Sequence, residues 1–220
     1  MFAGSGFGAN GALIWSRYFY DEIVLSSGKN KRFSLILDAI PYSYPSMKSK
    51  SNVYENSLQN MLKIANVDEV NPFILCTLRN EGEEWRCFKL DETYYYLNFP
   101  VFWIDSQYDR ITVEKALEID CVSKTNGSLS QCSDAQRIYL DQYRSAKIVQ
   151  MYAFINFHGN SAWTIGCSTD SFLNSDKYNN DAWSVNGKLM DSVHTFTSGR
   201  QTRDFDNLPW PSNNGCSGQS

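Results

Sequence analysis

Near the amino terminus, Gly4-Ser5-Gly6-Phe7-Gly8 runs directly into an apolar-periodic stretch, the setting of a strand-to-helix turn that can present a nucleophile. Such a turn is so sharp that the residues two before and two after its apex must be small. With the apex at Gly6 the flanks are Gly4 and Gly8 and the rule is met, but glycine offers no nucleophile. With the apex at Ser5 the flanks are Ala3 and Phe7, and Phe7 is too large. A plain glycine-rich turn, holding an oxygen anion or nothing, stays open beside the nucleophile reading. A phosphate loop matches less well, because its Lys-Ser/Thr ending is missing.

Proton-transfer groups are sparse. His158 stands at the end of a long helical pattern, where a cation is mildly favourable as a cap. Ser192 and His194 are a conceivable replacement pair, but neighbours two apart do not face each other as a catalytic pair must, and the reading is disfavoured. Two isolated histidines and dispersed cysteines show no metal-ligand spacing. Asp109 follows an apolar run closely, as a loop carboxylate or the cap of the next helix often does.

The elements that must position these groups alternate in period. Apolar residues recur at helical spacing over 11–25, 53–65, 111–119 and 133–157, the last closing at His158-Gly159. Pro72 sits at a first helical position for a turn or two leading to Cys76. Residues 33–37, 99–105 and 162–167 are short apolar runs that end in polar residues, as buried strands do. The tail from Asn179 onward is polar and loop-rich. Strands alternating with helices predict an α/β fold with a parallel sheet, whose chemistry gathers beyond the carboxyl ends of the strands. Those ends are residues 4–8, 38–42, 105–110 and 167–170.

Composition sets the frame. A chain of 220 residues is closest to one larger domain, with 42% apolar and 15% aromatic residues to build a core. Net charge is −4 without any basic run, so nucleic acid is not an expected partner. The longest apolar stretches, 97–104 and 148–157, fall short of the roughly 20 residues a transmembrane helix needs. Six cysteines and the sequon Asn126-Gly127-Ser128 lean toward an oxidising compartment, although no signal-peptide pattern opens the sequence. A Cys76–Cys87 bridge would close a short loop, worth roughly 3 kcal/mol in the chain-entropy model. Proximity adds Cys121 with Cys132, and elimination leaves Cys167 with Cys216.

One stretch is more specific. Glu81-Gly82-Glu83-Glu84-Trp85-Arg86-Cys87-Phe88, followed by Phe99-Pro100-Val101-Phe102-Trp103 and then Asp109, resembles the pectin acetylesterase and Notum family of α/β-hydrolase carboxylesterases. In that resemblance Asp109 takes the triad-acid position. The opening turn is similar to the family's elbow and places Gly6 in the nucleophile slot, while Cys167-Ser168-Thr169-Asp170 resembles the Cys-x-Ser-His segment and places Asp170 in the histidine slot. Trp183, Val185-Asn186-Gly187 and Pro209-Trp210-Pro211 resemble carboxyl-terminal family motifs. The likeness is strong over 81–109 and weak over 42–75 and 117–160.

The resemblance implies a partial α/β-hydrolase, residues 1–220 forming a single incomplete domain with the last three strands of the sheet behind a truncated elbow strand. Family activity would be O-deacylation of a glycan or an acylated protein by a Ser-His-Asp mechanism. With Gly6 and Asp170 in the two slots, this chain is expected to be non-catalytic, since neither residue can do what serine or imidazole does. The alternatives are a binding protein for an acylated glycan or lipid-modified protein, or a fragment of a larger active secreted esterase. No cofactor is expected, and the resemblance implies an extracellular or secretory location.

Overall fold

The computed structural model describes residues 1–26, 31–65, 73–122, 129–157, 159–173 and 185–209. Five strands form one all-parallel sheet in the order β1 (Phe2–Ser5), β2 (Leu35–Asp38), β3 (Val101–Ser106), β4 (Ser161–Ile165), β5 (Arg203–Phe205). Every residue of β2, β3 and β4 is buried, which is why they read as continuous apolar runs rather than alternating ones.

Alternation shows instead in what each side chain meets. Leu35, Leu37, Val101, Trp103, Ala162 and Phe205 point to one face. There they pack on α1 (Phe7–Tyr20) through Ala9 and Leu13. Between β2 and β3 lie α2 (Val53–Ala65), α3 (Ile74–Arg79) and the single turn α4 (Leu90–Thr93). The first face is completed by α5 (Asp134–Phe154) through Met151 and Phe154. Ile36, Phe102, Ile104, Trp163 and Ile165 point to the opposite face, where α6 (Leu189–Thr197) covers them with Leu189, Val193 and Phe196.

The expected elements are present with adjusted ends. α2 occupies the predicted span. α5 starts where Ser133 caps it, the serine side chain and Gln136 forming a reciprocal capping box. α1 begins at Phe7, and 21–25 continue it as a π-turn, Asp21–Leu25. The predicted helix over 111–119 is a π-turn at Thr112–Ala116.

Two expectations are corrected. The sheet has five strands, and the tail, read as loop-rich with no element assigned, contains α6 and β5. In α6 the apolar residues Leu189, Val193 and Phe196 keep helical spacing but are diluted by Ser, Thr and His, while β5 is three residues long with Arg203 and Asp204 in it. Short charged strands of this kind suit a sheet edge and carry little periodic signal. His158, Asn126, Trp183, Trp210 and Cys216 lie outside the described residues.

Candidate functional site

The chemistry-bearing turns meet at the carboxyl ends of β1 to β4. After β1 the chain bends at Gly6 with φ 57° and ψ −130°, then enters α1 at Phe7. A glycine takes this left-handed conformation without steric cost. A Cβ on Gly4 would collide with the Gly8 carbonyl and with Ala12 Cβ, whereas one on Gly6 or Gly8 would meet nothing within 4 Å. The small-residue requirement of the motif is therefore a steric fact at Gly4 alone. The apex at Gly6 has open space where a side chain would project.

Asp109 follows β3 and is only 5% exposed. Its Oδ1 accepts the Thr112 N–H at 2.7 Å, so it does cap the turn that follows. Burial pushes its carboxyl above the usual carboxylate range, opposed by the charge of Lys147 and the hydrogen bonds from Thr112, and reinforced by Asp170. The loop after β4 is tied to the loop after β3 by the Arg110 N–H bonded to the Thr169 carbonyl at 3.1 Å, and by the Ser106 hydroxyl donating to the Cys167 carbonyl. Asp170 on that loop forms an ion pair with the Arg110 guanidinium at 2.6 Å.

Gly6, Asp109 and Asp170 line one cleft of about 290 Å³. Its other walls include the apolar side chains of Phe7, Pro41, Val53 and Ile111. Three positions separated by more than sixty residues at each step of the sequence are thus brought to one space by strand order alone. His194 is exposed on α6 and does not line this cleft; its neighbour Ser192 instead donates to Asp204 Oδ2 at 2.6 Å. Among the described residues no group of three or more His, Cys, Asp or Glu side chains is placed to hold a metal ion. No helix among them is long and apolar enough to cross a membrane.

Sequence reasoning passed over Lys147, whose buried ammonium pairs with Asp105 and whose charge acts on Asp109. Its place on a stripe with Leu140, Tyr143, Met151 and Phe154 was the available signal, since a lysine on the buried stripe of a helix needs a carboxylate partner. It also passed over Arg110 as the partner that Asp170 takes up. Cys76–Cys87 and Cys121–Cys132 are both bonded, with Cα separations of 5.8 and 4.8 Å. Cys167 is disulfide-bonded as well, its partner lying outside the described residues.

The profile of the Pectinacetylesterase family matches residues 1–217. Two crystal forms of the Wnt deacylase Notum from Drosophila share the fold, with TM-scores of 0.72 and 0.68 at 15% and 18% sequence identity. Each alignment covers 96% of this chain, which spans 56% and 57% of the Notum chains. No curated protein sequence matches it.

Proposed function

The chain belongs to the pectinacetylesterase family, and from that membership we propose that its cleft binds the acyl group of an O-acylated glycan or lipid-modified protein without hydrolysing the ester. The observation that carries this reading is the content of the two slots. Gly6 has no atom that can attack a carbonyl, and Asp170 is held by Arg110 as an ion pair at 2.6 Å. A carboxylate in that state cannot shuttle a proton at neutral pH as imidazole does, so losing both groups leaves at best the residual rate that binding alone supplies. Binding is supported by the walls: Phe7, Pro41, Val53 and Ile111 give an apolar surface larger than an acetyl group requires. Disulfide bonds at Cys76–Cys87 and Cys121–Cys132 support a secretory or extracellular setting.

The test uses the purified chain with acetyl and hexanoyl esters of 4-methylumbelliferone, a fluorophosphonate probe, and hexanamide as a non-hydrolysed acyl ligand. Hydrolysis should not exceed a heat-killed control and no serine should be labelled. Saturation-transfer NMR should show saturable hexanamide binding that Val53→Asp abolishes. Labelling at any serine, or no binding of hexanamide, overturns the reading.

A further inference from the structure

One carboxylate beneath the cleft gathers bonds from both of the loops that frame it. Asp38 ends β2, and its side chain is wholly buried. Its Oδ2 accepts the Ser5 hydroxyl at 3.0 Å and the Leu173 N–H at 2.9 Å. The Phe172 N–H lies 3.2 Å from Oδ1 and 3.0 Å from Oδ2. Its main-chain carbonyl accepts the Gly6 N–H at 2.9 Å. Ser5 and Gly6 form the elbow, whereas Phe172 and Leu173 follow Asp170 on the loop after β4, Phe172 standing 134 residues after Asp38.

Each of these contacts has a reason to be there. A carboxylate out of reach of water is costly unless donors surround it, and among the described residues those bonded to Asp38 are Ser5 at the end of β1 and Phe172 and Leu173 on the loop after β4. Burial pushes its carboxyl up, and the Phe172, Leu173 and Ser5 donors pull it back down. The next residue, Ala39, stands at φ 53° and itself lines the cleft. A non-glycine residue in the left-handed region persists where its surroundings hold it there. Ala39 is held by its N–H bonded to the Ile104 carbonyl at 2.8 Å. Two left-handed turns, at Gly6 and Ala39, thus stand side by side at the ends of neighbouring strands with the Asp38 carboxylate beneath them.

We propose that Asp38 is the positioning residue of the cleft: by bonding the elbow at Ser5 and the loop at Phe172 and Leu173, its carboxylate fixes the distance between the Gly6 and Asp170 positions and so the width of the acyl-binding space. This rests on the proposed acyl binding. The strands keep their own ladder, so losing the carboxylate frees the loop rather than the sheet. The freed Phe172 and Leu173 amides turn to water, and the loop that carries Asp170 moves with them.

The test compares wild type, Asp38→Asn, Asp38→Ala and Ser5→Ala in the full chain, reading amide hydrogen exchange residue by residue and hexanamide affinity. In Asp38→Ala, exchange at Phe172 and Leu173 should quicken by about tenfold or more while Trp103 and Ile104 in β3 are unchanged, and affinity should fall by about tenfold. Asp38→Asn, which keeps the shape and one acceptor oxygen, should show the same pattern more weakly. Ser5→Ala should leave the Phe172 and Leu173 exchange as in wild type. Acceleration spread evenly over all strands, unchanged exchange at Phe172 and Leu173, or quickened exchange with unaltered affinity would each overturn the proposal. If wild type itself binds no hexanamide, acyl binding fails, and the exchange pattern alone still decides whether Asp38 holds the loop.

Discussion

The Lys147 ammonium lies 2.7 Å from Asp105 Oδ2, and both side chains are shut off from solvent, at 1% and 0% exposure. Lys147 reaches from α5 to the end of β3, where its Nζ also donates to the Ser106 carbonyl at 2.8 Å and meets the Tyr143 hydroxyl at 3.3 Å. Burial pushes the Asp105 carboxyl up and Lys147 opposes it. The nearby carboxylates of Asp105 and Asp109 hold the ammonium in its charged form. One buried cation thus serves two buried acids, of which the second lines the cleft.

Removing that cation alone should be severe. Lys147→Met is expected to lower unfolding free energy by about 3–5 kcal/mol, because Asp105 is left buried without a counter-charge. The double variant Asp105→Asn with Lys147→Met should recover a large part of the loss. Urea denaturation gives both numbers, and a double variant as unstable as the single would show that packing around the lysine stem, not charge, is what matters.

The elbow makes a prediction of opposite signs at two glycines. Gly4→Ala must push against the Gly8 backbone and Ala12, and should destabilise by about 1–3 kcal/mol. Gly8 lies inside α1 with open space at its Cβ position, so Gly8→Ala should stabilise by about 0.5–1 kcal/mol through helix propensity. Thermal melts of the two variants against wild type decide it.

Much of this was legible beforehand. Buried strands announce themselves as short apolar runs, so β2, β3 and β4 and the loops at their ends could be read, and with them the places where Gly6, Asp38, Asp109 and Asp170 stand. What could not be read depends on partners distant in sequence. Lys147 in the sequence is one more helical lysine until β3 supplies Asp105. Asp38 is a residue at the end of a strand until Phe172 and Leu173 fold over it. α6 escaped because its three buried apolar residues are too few to outweigh Ser, Thr and His over nine positions, and β5 because an edge strand needs no apolar pattern of its own.

Asp109 predicts a pH dependence. Its carboxyl is raised in the folded chain by burial, so the folded state disfavours its charged form. The linked stability is fully present below the unfolded value of about 4 and is lost as pH rises through the raised folded value. Asp109→Asn, whose carbonyl oxygen can still accept the Thr112 N–H, removes this penalty. At neutral pH the variant should melt above wild type, and the gap should close as pH falls toward the ordinary carboxylate range. A gap of the same size at acid pH would assign the effect to packing instead.

Gly6 and Asp170 together allow the sharpest test of the proposed nucleophile and base slots. The Cβ position of Gly6 is open, so serine fits there, although a backbone at φ 57° and ψ −130° costs a non-glycine residue about 1–3 kcal/mol. Asp170→His breaks the Arg110 ion pair, but with the two side chains 43% and 32% exposed that pair is worth at most about 1 kcal/mol. Groups that act as a unit gain little singly. Neither Gly6→Ser nor Asp170→His alone should hydrolyse 4-methylumbelliferyl hexanoate above the heat-killed control. The double variant, with Asp109 beside it in the same cleft, should exceed either single by about 100-fold, the contribution a positioned general base makes. Fluorophosphonate labelling should appear at residue 6 in the double variant. If the double variant folds, binds hexanamide and still shows neither hydrolysis nor labelling, then the two positions are not the nucleophile and base slots of this cleft.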